Sequence, residues 1–182
     1  MQTEIEKTIA VLKNGGLILY PTDTIWGIGC DATNNSAVKK IFELKKREDS
    51  KAMISLVKNT EMIDQYTNSK QFNFILIQEP TTLIYQNVSD IASNLIAEDK
   101  TSAFRIPNNK FCQELLTKFG LPIVSTSANI SGYLSPTSFS EIAEEIKNNV
   151  DYIVNLHQED IMDTPSKIIY INKDGSIKTI RE

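Results

Sequence analysis

The chain has 182 residues, a formal charge of −4, and 41% hydrophobic and 23% charged residues, a length and balance that suit a single domain over 1–182 with room for one core. The acidic balance argues against bulk attraction as the main route to nucleic acid, and no apolar run approaches the roughly 20 residues of a membrane span. A single histidine, His157, is a poor basis for a Ser-His-Asp or Cys-His hydrolase.

The opening segment is charged from Glu4 onward and has no apolar core followed by a cleavage site; it is no signal peptide, and the cytoplasm is the expected compartment. Residues 3–14 predict an amphipathic helix, with Thr3 and Glu6 at capping-box spacing and Ile5, Ile9 and Leu12 as the apolar stripe. Gly15 and Gly16 end it, and 17–20 is a short apolar strand. A polar loop from Pro21 leads to a helix over 36–46 and a strand over 52–57. Residues 60–79 predict helix with a break near Asn68, and strands follow at 83–85 and 102–106. A helix over 111–119, stopped by Gly120, precedes a buried strand at 122–125. A helix over 138–148 and strands near 152–155, 167–171 and 176–180 complete an alternation that implies an α/β architecture. Cys30 and Cys112 lie far apart and suggest neither a disulfide framework nor a zinc site.

Four polar clusters fall at strand ends or in loops, where α/β proteins place their sites. Pro21-Thr22-Asp23-Thr24 offers two hydroxyls and a carboxylate to an amine or hydroxyl; the same residues also make an ordinary self-bonded turn. Lys45 and Arg47, with Lys51 beyond, either complement a helix dipole or suit a triphosphate. Ser125 to Gly132 packs four hydroxyls, an amide and a glycine into eight residues, a composition fit for phosphate oxygens or a ribose. Arg105-Ile106-Pro107 puts one cation at a strand end. Gly27-Ile28-Gly29-Cys30-Asp31-Ala32 fits G-x-G-x-x-A but follows a polar loop rather than a strand, so it is a weak dinucleotide fingerprint. No Walker phosphate loop is present.

Taken in order, GGLILYPTDTIWGIGCDA, ELKKRE, FRIP and PIVSTSANISG followed by SPT resemble the YrdC-like threonylcarbamoyl-AMP synthase family over nearly the whole chain. The resemblance implies an open, twisted, mixed α/β sheet with flanking helices and a concave, positively lined cavity. It implies an L-threonylcarbamoyladenylate synthase, a nucleotidyltransferase joining L-threonine, bicarbonate and ATP for transfer-RNA modification. Magnesium would accompany the phosphates, with no protein metal site. The family's Lys-x-Arg and Ser-x-Asn signature falls on Lys45, Arg47, Ser127 and Asn129 as catalytic positions. ATP contacts map to Lys45, Arg47, Thr82, Ser127, Ser135 and Arg181, and threonine contacts to Thr24, Arg105 and Ser166. The implied partners are transfer RNA or double-stranded RNA and other proteins of the pathway. The same fold also admits an RNA-binding or ribosome-maturation protein without this activity. The chain departs from the family where Gln78-Glu79-Pro80 replaces Pro-Gly-Pro and where Arg181-Glu182 stands in place of Arg-Pro-Gly.

Overall fold

The computed structural model describes residues 1–46, 53–67, 79–172 and 176–182. Arg47 and Lys51, most of the predicted helix beyond Asn68, and Gln78 lie outside the described residues.

Among the described residues nine strands form one mixed sheet: β1 (Ile18–Tyr20), β2 (Gly27–Gly29), β3 (Ile54–Leu56), β4 (Thr81–Tyr85), β5 (Ser102–Arg105), β6 (Ile123–Ser127), β7 (Tyr152–Ile153), β8 (Lys167–Ile171) and β9 (Ile177–Arg181), in the order β7-β1-β2-β6-β3-β5-β4-β8-β9. The pairs β1–β7, β3–β5 and β4–β8 are parallel and the rest antiparallel. The helices are α1 (Gln2–Lys13), α2 (Asn35–Leu44), α3 (Thr60–Ile63), α4 (Lys110–Phe119) and α5 (Glu144–Lys147). Among the described residues no helix is long and apolar enough to cross a membrane.

Asparagines start three of the helices. The Oδ1 atoms of Asn34, Asn59 and Asn109 accept from the N–H of Ala37, Met62 and Cys112, which satisfies donors that a helix start otherwise leaves open. Gly120, at φ +79°, ends α4 in the left-handed conformation that costs glycine least. The capping box expected at Thr3 and Glu6 is absent: Met1 precedes α1 without a side-chain cap, and Thr3 is already helical. Glu4 instead reaches β7 and the turn beyond it, accepting from the Tyr152 hydroxyl at 2.7 Å and the Asn155 N–H at 2.8 Å.

Strand periodicity divides the core in two. Ile18, Tyr20, Leu56 and Ile123 face α1 and α4, while Leu19, Leu83, Phe104 and Val124 face the other way, with α2, as alternation across a pleated sheet requires. The register puts Arg105 level with Leu56 and with Thr82, and Thr82 level with Ile168. Arg105, Thr82 and Ile168 therefore share the α1/α4 side of the sheet, on the adjacent strands β5, β4 and β8.

Three elements differ from the sequence reading, the first being the helix expected over 60–79, whose described part is helical only at Thr60–Ile63 and then turns into a bridge at Thr67. Gly27–Gly29, expected within a loop, is a central strand between β1 and β6. At Gly29 a Cβ would stand 2.6 Å from the Val124 carbonyl oxygen and 2.7 Å from the Tyr20 ring, so glycine permits a close approach here rather than marking a dinucleotide turn. The helix expected over 138–148 is instead a 3-10 turn, Phe139–Glu141, followed by α5. Ile142 between them is extended and buried, and the Phe139 ring lies 5.0 Å from that of Trp26; packing has overridden helix propensity.

Candidate active site

On this side of the sheet a cavity of ≈ 250 Å³ opens beside Arg105. The loop after β1 supplies Thr24 to its wall. Within that loop the Thr22 hydroxyl donates to the Ile25 carbonyl at 2.8 Å and accepts from the Thr24 and Ile25 N–H groups. The self-bonded turn and the functional reading thus coexist, because the turn is what presents Thr24. Arg105, only 2% exposed, donates through Nη1 to Asp23 Oδ1 at 2.5 Å and through Nη2 to Thr24 Oγ1 at 3.2 Å. Its Nε is buried and has no hydrogen-bond partner among the described residues.

Arg181 reaches the cavity from β9, its Nε and Nη2 donating to the Ser166 carbonyl at 3.0 and 2.7 Å. A β-bulge at this end of the β8–β9 ladder leaves Ile180 unmatched and sets Arg181 opposite Ile168, another lining residue. Burial, with the Arg105 charge adding to it, holds Arg181 below the usual guanidinium range. The Ser166 hydroxyl shares a 2.8 Å hydrogen bond with that of Thr82. From β6 come Ser127 and, unassigned in the sequence reading, Ser125 and Thr126; Ser135 lines the mouth.

The structure thus brings Thr24, Arg105, Ser127, Ser135, Ser166 and Arg181 to one cavity. Thr82 stands behind Ser166, fully buried. Lys45 and Asn129 are outside the lining: the Lys45 ammonium donates to the carbonyls of Ser127 at 2.5 Å and Asn129 at 2.6 Å, and the Asn129 amide donates to the Tyr133 carbonyl at 2.7 Å. Arg47 lies outside the described residues. Asp23, whose carboxylate the sequence offered to an amine or a hydroxyl, is committed instead to the guanidinium of Arg105. Its partner is 82 positions away, a relationship only the sheet register creates.

Chemically, the wall offers two guanidinium groups and a set of hydroxyls, suited to holding two anions together. The two cysteines take no part. Burial, followed by the Asp31 charge for Cys30 and the Asp23 charge for Cys112, pushes both thiols well above their ordinary range, so neither is a nucleophilic thiolate. Fold and site together define a mixed α/β protein with a polar cavity lined by two arginines.

The Sua5_yciO_yrdC family model, described as telomere recombination, matches residues 10–182. The chain belongs to this Sua5/YciO/YrdC family. A Methanocaldococcus jannaschii protein, provisionally named a threonylcarbamoyl-AMP synthase, is 33% identical over 189 residues, covering 100% of this chain and 88% of its own. The threonylcarbamoyl-AMP synthase of Photobacterium profundum is 28% identical over 157 residues, covering 82% of this chain and 85% of its own. Among solved structures, P. abyssi Sua5 complexed with L-threonine superposes with a TM-score of 0.76 at 25% identity, over 92% of this chain and 50% of that one. The chain thus spans half the length of that structure.

Proposed function

We propose that this chain is an L-threonylcarbamoyladenylate synthase: it joins L-threonine, bicarbonate and ATP into threonylcarbamoyl-AMP and pyrophosphate. The observation that carries the reading is the convergence of Arg105 and Arg181 with Thr24, Ser127, Ser135 and Ser166 on one cavity. The names of the relatives and the L-threonine bound to P. abyssi Sua5 support it.

The threonine amine takes up the carbon of bicarbonate, losing water, to give a carbamate. A carbamate oxygen then attacks the α-phosphorus of ATP, and the bond to the bridging oxygen breaks as pyrophosphate leaves. No protein nucleophile is needed. The protein's task is to hold two anions in line and offset their repulsion. Arg105 is assigned to the threonine carboxylate, with Thr24 and Ser166 beside it for the amine and hydroxyl. Arg181, Ser127 and Ser135 face the nucleotide phosphates, and Thr82 fixes the Ser166 hydroxyl. Lys45 and Asn129 act by holding the loop after β6, and Arg47 is assigned to the triphosphate on the family signature alone.

ATP enters as its magnesium complex. The ion is assigned to the phosphates rather than to a protein cage. We place the reaction in the cytoplasm, ahead of a transfer-RNA modification step, with transfer RNA or double-stranded RNA and the other proteins of that pathway as its later partners.

The test is pyrophosphate release by purified protein with ATP, magnesium and bicarbonate, with and without L-threonine. Release that requires threonine, with serine and alanine poor substitutes, establishes the activity. A folded protein that binds ATP but releases no pyrophosphate overturns it.

A further inference from the structure

We infer that Asp23 is a positioning residue that reserves Arg105 for a monoanionic carboxylate and limits the cavity's hold on polyanions, pyrophosphate above all. The inference rests on the synthase reading and goes beyond it, since Asp23 stands behind Arg105 rather than among the cavity's lining residues.

The geometry is specific. The Asp23–Arg105 ion pair is almost wholly out of water, with side chains 7% and 3% exposed. Both carboxylate oxygens are engaged, Oδ1 by Arg105 Nη1 and Oδ2 by the Asn108 N–H. With Nη2 on Thr24, the guanidinium is held on its two terminal nitrogens, and only Nε is left without a partner among the described residues. A fork pinned at both terminal nitrogens cannot turn to grip a phosphate in bidentate fashion, whereas a carboxylate oxygen can still be met by one of its remaining N–H groups. The electrostatics act in the same direction. Among the described residues that line the cavity, Arg105 and Arg181 are the only charged ones. A buried carboxylate in contact with one of them removes about half of that field where screening by water is weakest. The reaction releases pyrophosphate beside these cations, and an uncompensated pair would retain it.

The experiment is calorimetric binding of inorganic pyrophosphate to the whole chain, paired with steady-state kinetics. Asp23→Asn keeps size and an acceptor for Asn108 but removes the charge. The expected result is opposite movement: pyrophosphate binds about fivefold more tightly, with high salt erasing the gain, while the threonine KM rises about tenfold. Loss of packing alone would weaken both ligands together, and that result, or unchanged pyrophosphate affinity, overturns the role. If Asp23→Asn does not fold, Arg105→Gln and Asp23→Asn/Arg105→Gln ask the same question. The double variant should bind pyrophosphate more tightly than Arg105→Gln, whose buried carboxylate is left unopposed, and equal binding by the two overturns the inference. A wild-type protein that takes up neither pyrophosphate nor threonine would overturn the synthase reading itself.

Discussion

The Lys45 ammonium lies beneath the loop that follows β6, 2.6 Å from the Asn129 carbonyl oxygen, and the Lys45 carbonyl in turn accepts from the Ser131 N–H. Both ends of this residue, 1% exposed overall, therefore tie the end of α2 to Ser127 at the end of β6 and to the loop that follows it. Lys45→Ala would leave the carbonyls of Ser127 and Asn129 without this donor, a loss of about 1–3 kcal/mol for each buried acceptor left unsatisfied. The expected outcome is a clear fall in the urea midpoint together with a loss of activity larger than that of Ser135→Ala. Unchanged stability with lost activity would instead make Lys45 a direct phosphate contact. Lys45→Arg should not restore function, because a planar fork cannot replace a compact ammonium beneath two carbonyls.

Arg105→Ala separates the two substrates. With its side chain lining the cavity and both terminal nitrogens engaged, Arg105 is assigned to the threonine side. The threonine KM should rise about tenfold or more, while the ATP KM moves less than about threefold, the pattern of one lost charged hydrogen bond to one ligand. Steady-state kinetics with each substrate varied in turn give the answer, and the reverse ordering would move Arg105 to the nucleotide.

Gly29→Ala tests the close packing of β1, β2 and β6. The added methyl would meet the Val124 carbonyl oxygen at 2.6 Å and the Tyr20 ring at 2.7 Å. That ring is buried and its hydroxyl is bonded to the same Val124 carbonyl, so neither neighbour can swing aside. Overpacking of this kind costs about 1–3 kcal/mol. Gly120→Ala meets no atom within 4 Å, yet sits at φ +79°, where the left-handed backbone alone costs an L-residue about 1–2 kcal/mol. Both variants should therefore melt earlier in urea, but only Gly29→Ala should disturb the cavity, through Gly27 two residues away.

What the sequence made legible follows from range. α2 and α4 each combine apolar spacing with an asparagine start, which are local signals, and both form close to their expected bounds. The polar runs around Thr24, Ser127 and Arg105 were legible as candidates because hydroxyls and cations at strand ends are unusual in any α/β chain. β2 was not legible: two glycines are poor strand formers, and Gly27–Gly29 extends because Tyr20 and β6 press against it. The roles of Asp23 and Lys45 were hidden for the same reason. Each is defined by a partner 82 residues away, and composition alone reads a lysine after a helix as a surface cation. Ile180, read as an ordinary strand residue, is the unmatched one whose bulge sets Arg181 opposite Ile168.

The contact of Glu4 with Tyr152 sets two limits on pH stability. Burial by itself would raise the Glu4 carboxyl, but hydrogen bonds from the Asn155 N–H and the Tyr152 hydroxyl, with the Lys7 charge, outweigh it and hold the group below the usual carboxylate range. A depressed carboxyl contributes stability above its unfolded pKa and loses it as pH falls through the folded one. Tyr152 is pushed up to about 12, first by burial and then by the Glu4 carboxylate. Its share is complete below the unfolded tyrosine value near about 10 and is lost as pH climbs toward the folded one. Glu4→Gln should therefore flatten the stability profile at both ends, below about pH 4.5 and above about pH 10, with little change in slope between them. Urea midpoints measured across pH for the wild type and this variant decide the matter. Parallel profiles would show that the α1 tether to β7 is carried by packing rather than by the carboxylate.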